Sequence, residues 1–250
     1  MTTSEIQSKI NSAKALDFGN IFNQSVELFK KSWLYGFMLQ LFTIIISLPF
    51  IIILYVPFVM LIVTQSQSGH IETDEFSTFL AGFSILYILF FILGILTISV
   101  IQIAMNASFF RILKRLDYDE DVKISDLFYF VKGKYVGNLF LLMLMTIVIS
   151  IVASLLCFLP IIYAIIPISF FTIVFAFNPE LNVGDIVKLS FNLGTKKWLI
   201  SFGLFIVAKL VIMFLIVLTC GLGSLFLIPF IYHPSYIIYK EVVGFNDIQS

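Results

Sequence analysis

From Tyr135 to Pro179 the chain reads YVGNLFLLMLMTIVISIVASLLCFLPIIYAIIPISFFTIVFAFNP, without one Lys, Arg, Asp or Glu. A membrane-crossing helix needs about 20 apolar residues to span about 30 Å of hydrocarbon, so this run holds two passes and a turn. Pro160 stands where a tight hairpin would break it, which predicts spans over about 136–158 and 161–178. Two earlier runs, Ser32 to Ile71 and Phe76 to Phe110, are also free of charge. They predict spans over about 33–63 and 78–109, the first long enough to tilt or to kink at Pro49 and Pro57. After Trp198 the only charge before Lys240 is Lys209, and Gly221-Leu222-Gly223-Ser224 divides that region into spans over about 198–219 and 225–239. The expected fold is therefore all-α, a polytopic bundle of six transmembrane helices in a single membrane domain.

Composition agrees. Sixty per cent of the 250 residues are hydrophobic, 12% are charged, and Phe occurs 29 times. A water-soluble domain carries about 25% charged residues because its surface must stay wet, and a hydrocarbon solvent lifts that demand. The formal net charge is zero, so nothing points to nucleic acid as a partner. The first 32 residues are polar and no short apolar segment opens the chain, so a cleavable signal peptide is not expected.

Basic residues set the expected direction. With the N-terminus inside, the cytoplasmic segments hold Lys9, Lys14, Lys30, Lys31, Arg111, Lys114, Arg115, Lys123, Lys132, Lys134, Lys188, Lys196, Lys197 and Lys240. These are 14 of the 15 Lys and Arg residues, and the outer loops hold none. The longest outer loop carries His70, Glu72, Asp74 and Glu75 instead. Cationic loops stay on the cytoplasmic side, so the pattern predicts an inner-membrane protein with both termini cytoplasmic.

Residues 18–33 align without a gap on residues 183–198. Identities fall at Gly19/Gly184, Ile21/Ile186, Ser25/Ser190, Leu28/Leu193, Lys31/Lys196 and Trp33/Trp198. Apolar residues of the first copy share one helical face, which predicts amphipathic helices over about 18–31 and 183–195 lying in the membrane interface. Lys31, Lys196, Trp33 and Trp198 would anchor the turn into the bilayer at headgroup depth. A shorter, looser copy at 124–132 predicts a third interfacial helix. The chain then reads as three parallel units, each an entry helix followed by a transmembrane hairpin.

These entry motifs, with a last span reading Pro229-Phe-Ile-Tyr-His-Pro-Ser-Tyr-Ile-Ile-Tyr239-Lys-Glu-Val-Val-Gly244, resemble a broad bacterial family. It includes the membrane domain attached to some glycerophosphodiester phosphodiesterases and many stand-alone six-helix proteins. The resemblance covers nearly the whole chain, but its motifs are loose and none is catalytic. It implies a six-helix membrane fold. The phosphodiesterase domain itself is absent here, so its activity does not carry over. Similar stand-alone proteins of the Bacteroidota often bear the label β-carotene 15,15′-monooxygenase. An iron oxygenase needs several His or carboxylate ligands. The two His, His70 in the outer loop and His233 in the inner half of the last span, would lie too far apart to share a metal. No cofactor or metal is therefore expected.

No Gly-x-Ser-x-Gly elbow, phosphate-binding Gly-Lys-Ser/Thr loop or His-Glu-x-x-His motif occurs. The acidic run Asp117, Asp119, Glu120, Asp121 lacks the Gly and terminal Glu of a calcium loop and reads as a solvated turn. Cys157 and Cys220 would both lie near outer span ends, where a disulfide is conceivable, and otherwise read as buried small apolar side chains. Ser150/Ser154 and Ala104/Ser108 read as sites of close helix packing.

Lys209 asks for an explanation. A charge at mid-span costs at least about 2.5–3.5 kcal/mol, and no acidic residue within the spans neutralises it. The expectation is that Lys209 faces the bundle interior, in a polar cavity with Gln40, Gln102, Asn106 and His233. Three readings of activity remain open at this point. The leading one is a non-enzymatic scaffold or regulator acting on lipid, on a lipid headgroup or on a partner membrane protein. The second is a carrier that uses the Lys209 cavity, and the third is a lipid-modifying enzyme.

Overall fold

Helices make up the computed structural model of the chain, and no strand occurs among the described residues, which are 1–68, 85–156 and 159–245. Among the described residues, five helices are long and apolar enough to cross a membrane: Phe18–Ile53, Leu89–Asp117, Gly133–Leu155, Pro160–Phe177 and Trp198–Leu218. The fold is an all-α polytopic membrane bundle. Its outer surface shows the solvent it was selected for. Leu141, Val148, Ile151, Leu199, Leu210, Phe214 and Val217 are all at least half exposed, an apolar surface that water would not tolerate but lipid does.

The chain packs as two units, residues 1–41 with 103–250 and residues 42–102. In order, the helices are α1 (Thr3–Ser12), α2 (Phe18–Ser68), α3 (Ile85–Asp117), α4 (Gly133–Leu155), α5 (Leu159–Ser169), α6 (Phe171–Phe177), α7 (Val183–Lys196), α8 (Trp198–Leu218), α9 (Ser224–Leu227) and α10 (Tyr232–Val242). Two 3₁₀ segments, Ile124–Val131 and Ile228–Ile231, join them among the described residues. Within the smaller unit, Gly94 of α3 meets the Phe50 ring of α2. A Cβ there would fall 2.4 Å from Phe50 Cε1.

Several boundaries differ from the sequence expectation. The interfacial helix over 18–31 does not turn into the bilayer at Lys31–Trp33. α2 runs unbroken for 51 residues, because nothing between Asn20 and Trp33 disfavours helix and each added residue gains a backbone bond. The 124–132 segment is 3₁₀ rather than α, with Leu127 and Phe130 buried. Their spacing of three matches the 3.0-residue turn that eclipses such positions. The expected span over 225–239 is α9, a 3₁₀ turn and α10 in succession. Pro229 and Pro234 each delete a backbone donor there. α10 buries Pro234, Tyr236, Ile237, Ile238 and Tyr239. Expectations for His70 and Cys157 fall outside the described residues. Cys220 is exposed rather than buried, in a left-handed turn (φ 50°) with Gly221 (φ 90°).

Proline shapes the centre of the larger unit. Pro167 lies inside α5, so the Tyr163 carbonyl lacks its helical partner. The Trp198 indole Nε1 donates to it at 3.1 Å. Gly194 of α7 lies flat against the same place: a Cβ would fall 2.6 Å from Pro167 Cα and 2.8 Å from its nitrogen. α7 also carries α1, a helix with no counterpart in the sequence reading. Thr2 and Glu5 form a capping box at its start, and Ile6 and Ile10 are buried. Asn192 Nδ2 donates to Gln7 Oε1, Lys196 Nζ to the Asn11 carbonyl and Lys197 Nζ to the Lys14 carbonyl.

Candidate functional site: a basic, aromatic cavity

The last two turns of α3 bury Ile112 and Leu113 completely. That rotation places Arg111, Lys114 and Arg115, at i, i+3 and i+4, together on the opposite face. They line an open cavity of about 620 Å³ together with Tyr129, Tyr135, Phe177 and Phe245. α3 stops at Asp117, and Asp119 takes the left-handed conformation (φ 55°) that a short polar side chain tolerates.

The turn after α3 is more than a solvated loop. Asp117 Oδ2 accepts from Lys240 Nζ at 2.7 Å and from the Tyr236 hydroxyl at 2.9 Å. Asp119 pairs with Lys31 at 2.6 Å. Arg115 is held between Asp126 at 2.7 Å and Glu120 at 3.4 Å. Glu180, across the cavity, pairs with Lys134 at 3.0 Å. Both acids on the cavity wall are thus taken by cations. Arg111 and Lys114 have no carboxylate partner among the described residues. The Arg111 guanidinium lies 3.7 Å from the Tyr129 ring centroid, and Lys114 Nζ lies 4.9 Å from that of Phe245. The Tyr129 hydroxyl is held below its ordinary range by a hydrogen bond from Tyr135, then by the charges of Arg111 and Lys132. Two unneutralised cations facing one cavity favour an anion there.

Of the residues expected to form an intramembrane polar cavity, Gln102 belongs to the smaller unit, and in the larger unit Lys209 and His233 do not share a site. Lys209 is exposed on α8, because Ser201, Leu204, Ala208 and Ile212 take the inner stripe. Lys209 follows Ala208 directly and so lies about 100° around the helix. Its ammonium rests 4.4 Å from the Phe205 ring centroid, one turn back. Gln102 is exposed, while Gln40 and Asn106 are half-buried. His233 is fully buried and its polar atoms are engaged elsewhere.

Those engagements form a bolt. Pro234 leaves the Phe230 carbonyl without its helical donor, and His233 Nδ1 lies 3.2 Å from that oxygen and 3.2 Å from the Pro229 carbonyl. Carbonyls only accept, so Nδ1 carries the proton. Nε2 therefore accepts from the Ser32 hydroxyl, at 2.7 Å. Hydroxyl, imidazole and orienting carbonyl stand in the order used by nucleophilic enzymes. Ser32 and His233 are both 0% exposed, so the pair ties α2 to α10 rather than meeting a substrate.

Among the expected anchors, Lys31 and Lys196 bond to Asp119 and to the Asn11 carbonyl. Trp198 stacks on Phe202 at 4.6 Å. Trp33 is 46% exposed beside Phe226. Sequence reasoning counted Arg111 and Lys114 only as orientation signals. The i, i+3, i+4 basic face at the end of a span was the available clue. Compared with family models, curated proteins and solved structures, the chain matches none. Fold and site therefore define the class on their own terms: a multi-pass helical membrane protein with a cation-rich cavity in its larger unit.

Proposed function

We propose that this chain is a non-enzymatic protein of the bacterial inner membrane, a scaffold or regulator that engages an anionic lipid headgroup or a partner membrane protein through the Arg111–Lys114 cavity. The observation that carries this reading is that those two cations face the cavity while its two acids are already paired. In this reading the chain spans six times, α9 and α10 completing the last hairpin, and both termini are cytoplasmic. The cavity then opens among the cationic segments at the inner leaflet, where anionic lipids concentrate. Matched burial in the two segments aligned above supports a duplicated origin: Ile21/Ile186, Ser25/Ser190 and Leu28/Leu193 are all buried.

The carrier reading drew on an interior Lys209 and loses that support with the side chain on the outer face of α8. Native mass spectrometry after gentle extraction tests the proposal. Bound lipid or partner protein, without substrate-dependent flux in proteoliposomes, is the expected outcome. Flux would favour a carrier. Labelling of single cysteines introduced beside Lys14 and Glu180 from the cytoplasmic side only is the expected orientation result.

A further inference from the structure

Resting on the reading of the cavity as an anion site, we propose that its ligand is a phosphomonoester, bound between Arg111 and Lys114 with its organic part against the aromatic wall. Charge comes first. The two unpaired cations stand one helical turn apart on α3, and a phosphomonoester carries about −1.5 to −2 at pH 7, enough to answer both. A single carboxylate answers one.

Geometry comes second. Arg111 lies 3.7 Å from the Tyr129 ring centroid and hydrogen-bonds that side chain, and the rest of its five N–H groups are left for phosphate oxygens, while Lys114 adds a point charge. The volume of about 620 Å³ exceeds what a bare phosphate fills and falls within the 300–1,000 Å³ of small-molecule sites. Phe177 and Phe245, 4.5 Å apart between centroids, with Tyr129 and Tyr135, offer apolar and π surface to a covalently attached group. Such a phosphomonoester can be a soluble metabolite or the headgroup of a bilayer lipid, and both present the same dianion.

The test uses the full chain in nanodiscs of neutral phosphatidylcholine, titrated with phenyl phosphate and with phenyl acetate as the uncharged control. A second arm replaces part of the lipid with phosphatidic acid, a lipid phosphomonoester, or with phosphatidylglycerol, a phosphodiester. Thermal unfolding midpoint and ³¹P line width are read. We expect saturable stabilisation by phenyl phosphate or by phosphatidic acid, at least tenfold weaker in Lys114→Gln and in Arg111→Gln, and unchanged in Lys209→Gln. Response in the first arm identifies a soluble ligand, and response in the second alone identifies a lipid. Lys114→Gln suffices if Arg111→Gln fails to fold, because among the described residues that ammonium forms no ion pair and rests only near the Phe245 ring.

Equal binding by wild type and Lys114→Gln, or no response to any phosphomonoester, overturns the proposal. If wild type still carries a different lipid or a protein that Lys114→Gln loses, the cavity reading stands and only the ligand class is wrong. If neither is seen, both readings fall.

Discussion

Residues 18–33 and 183–198 begin alike and end differently. Ile21 and Ile186, Ser25 and Ser190, Leu28 and Leu193 are all buried. Each serine donates to the carbonyl four residues back, at 2.7 Å to Ile21 and 2.8 Å to Ile186. At the exit the paths part. α2 continues as helix through Ser32 to Ser68, whereas α7 stops at Lys196 and Lys197 breaks the helix (φ −109°, ψ 22°). The residues that differ explain it. Ser32 turns inward to His233, while the matching Lys197 reaches the Lys14 carbonyl beyond α1. Phe29 packs edge-on against Phe230 at 5.4 Å, and the matching Gly194 clears space for Pro167. Shared residues choose the face that is buried, and unshared ones choose where the chain goes next.

The largest expected effect comes from making the second segment more like the first. Gly194→Ala drives a Cβ into the Pro167 backbone and should cost about 3 kcal/mol, at the upper end for overpacking, read as unfolding in detergent. Loss of less than about 1 kcal/mol would show that α5 and α7 can separate freely. Next, Ser32→Ala leaves a buried imidazole nitrogen unpaired and should cost about 2 kcal/mol. The aligned serines should matter less, and equally: Ser25→Ala and Ser190→Ala each change stability by under about 0.5 kcal/mol, since each bond lies within its own helix. A gap of more than about 1 kcal/mol between them would break the correspondence.

The smallest effect is a pH response in α1, the helix that packs on the second segment. The Thr2 backbone N–H holds the Glu5 carboxyl below its ordinary value of 4.5. A depressed carboxyl contributes stability that is complete above 4.5 and lost as pH falls through the lowered value. Acidification should therefore raise hydrogen exchange at Ile6 and Ile10 of α1 without affecting residues 18–33. Glu5→Gln should remove the pH dependence.

The fold was legible where physics acts locally. Charge-poor apolar runs locate α4 at Gly133–Leu155 and α8 at Trp198–Leu218, close to the expected 136–158 and 198–219. The capping signal of α1, Thr2 followed by Glu5, was also present, but ten polar-rich residues gave no reason to dock it on α7. Lys209 was misplaced by one position's rotation, because hydropathy gives depth and not azimuth. The cavity was illegible for another reason. Its charge is a remainder, left after Arg115 meets Asp126, Lys134 meets Glu180 and Lys240 meets Asp117, and partners up to 123 residues apart cannot be matched by spacing.

Pro167 and Gly194 also bear on how this chain can change over generations. An ordinary residue at 167 would restore an N–H that competes with the Trp198 indole for the Tyr163 carbonyl, and a larger residue at 194 would strike position 167 from the other side. Positions 167 and 198 therefore set each other's selective value, while the glycine faces backbone atoms that any residue at 167 keeps. Relatives that lose the proline should have lost the indole with it and kept the glycine.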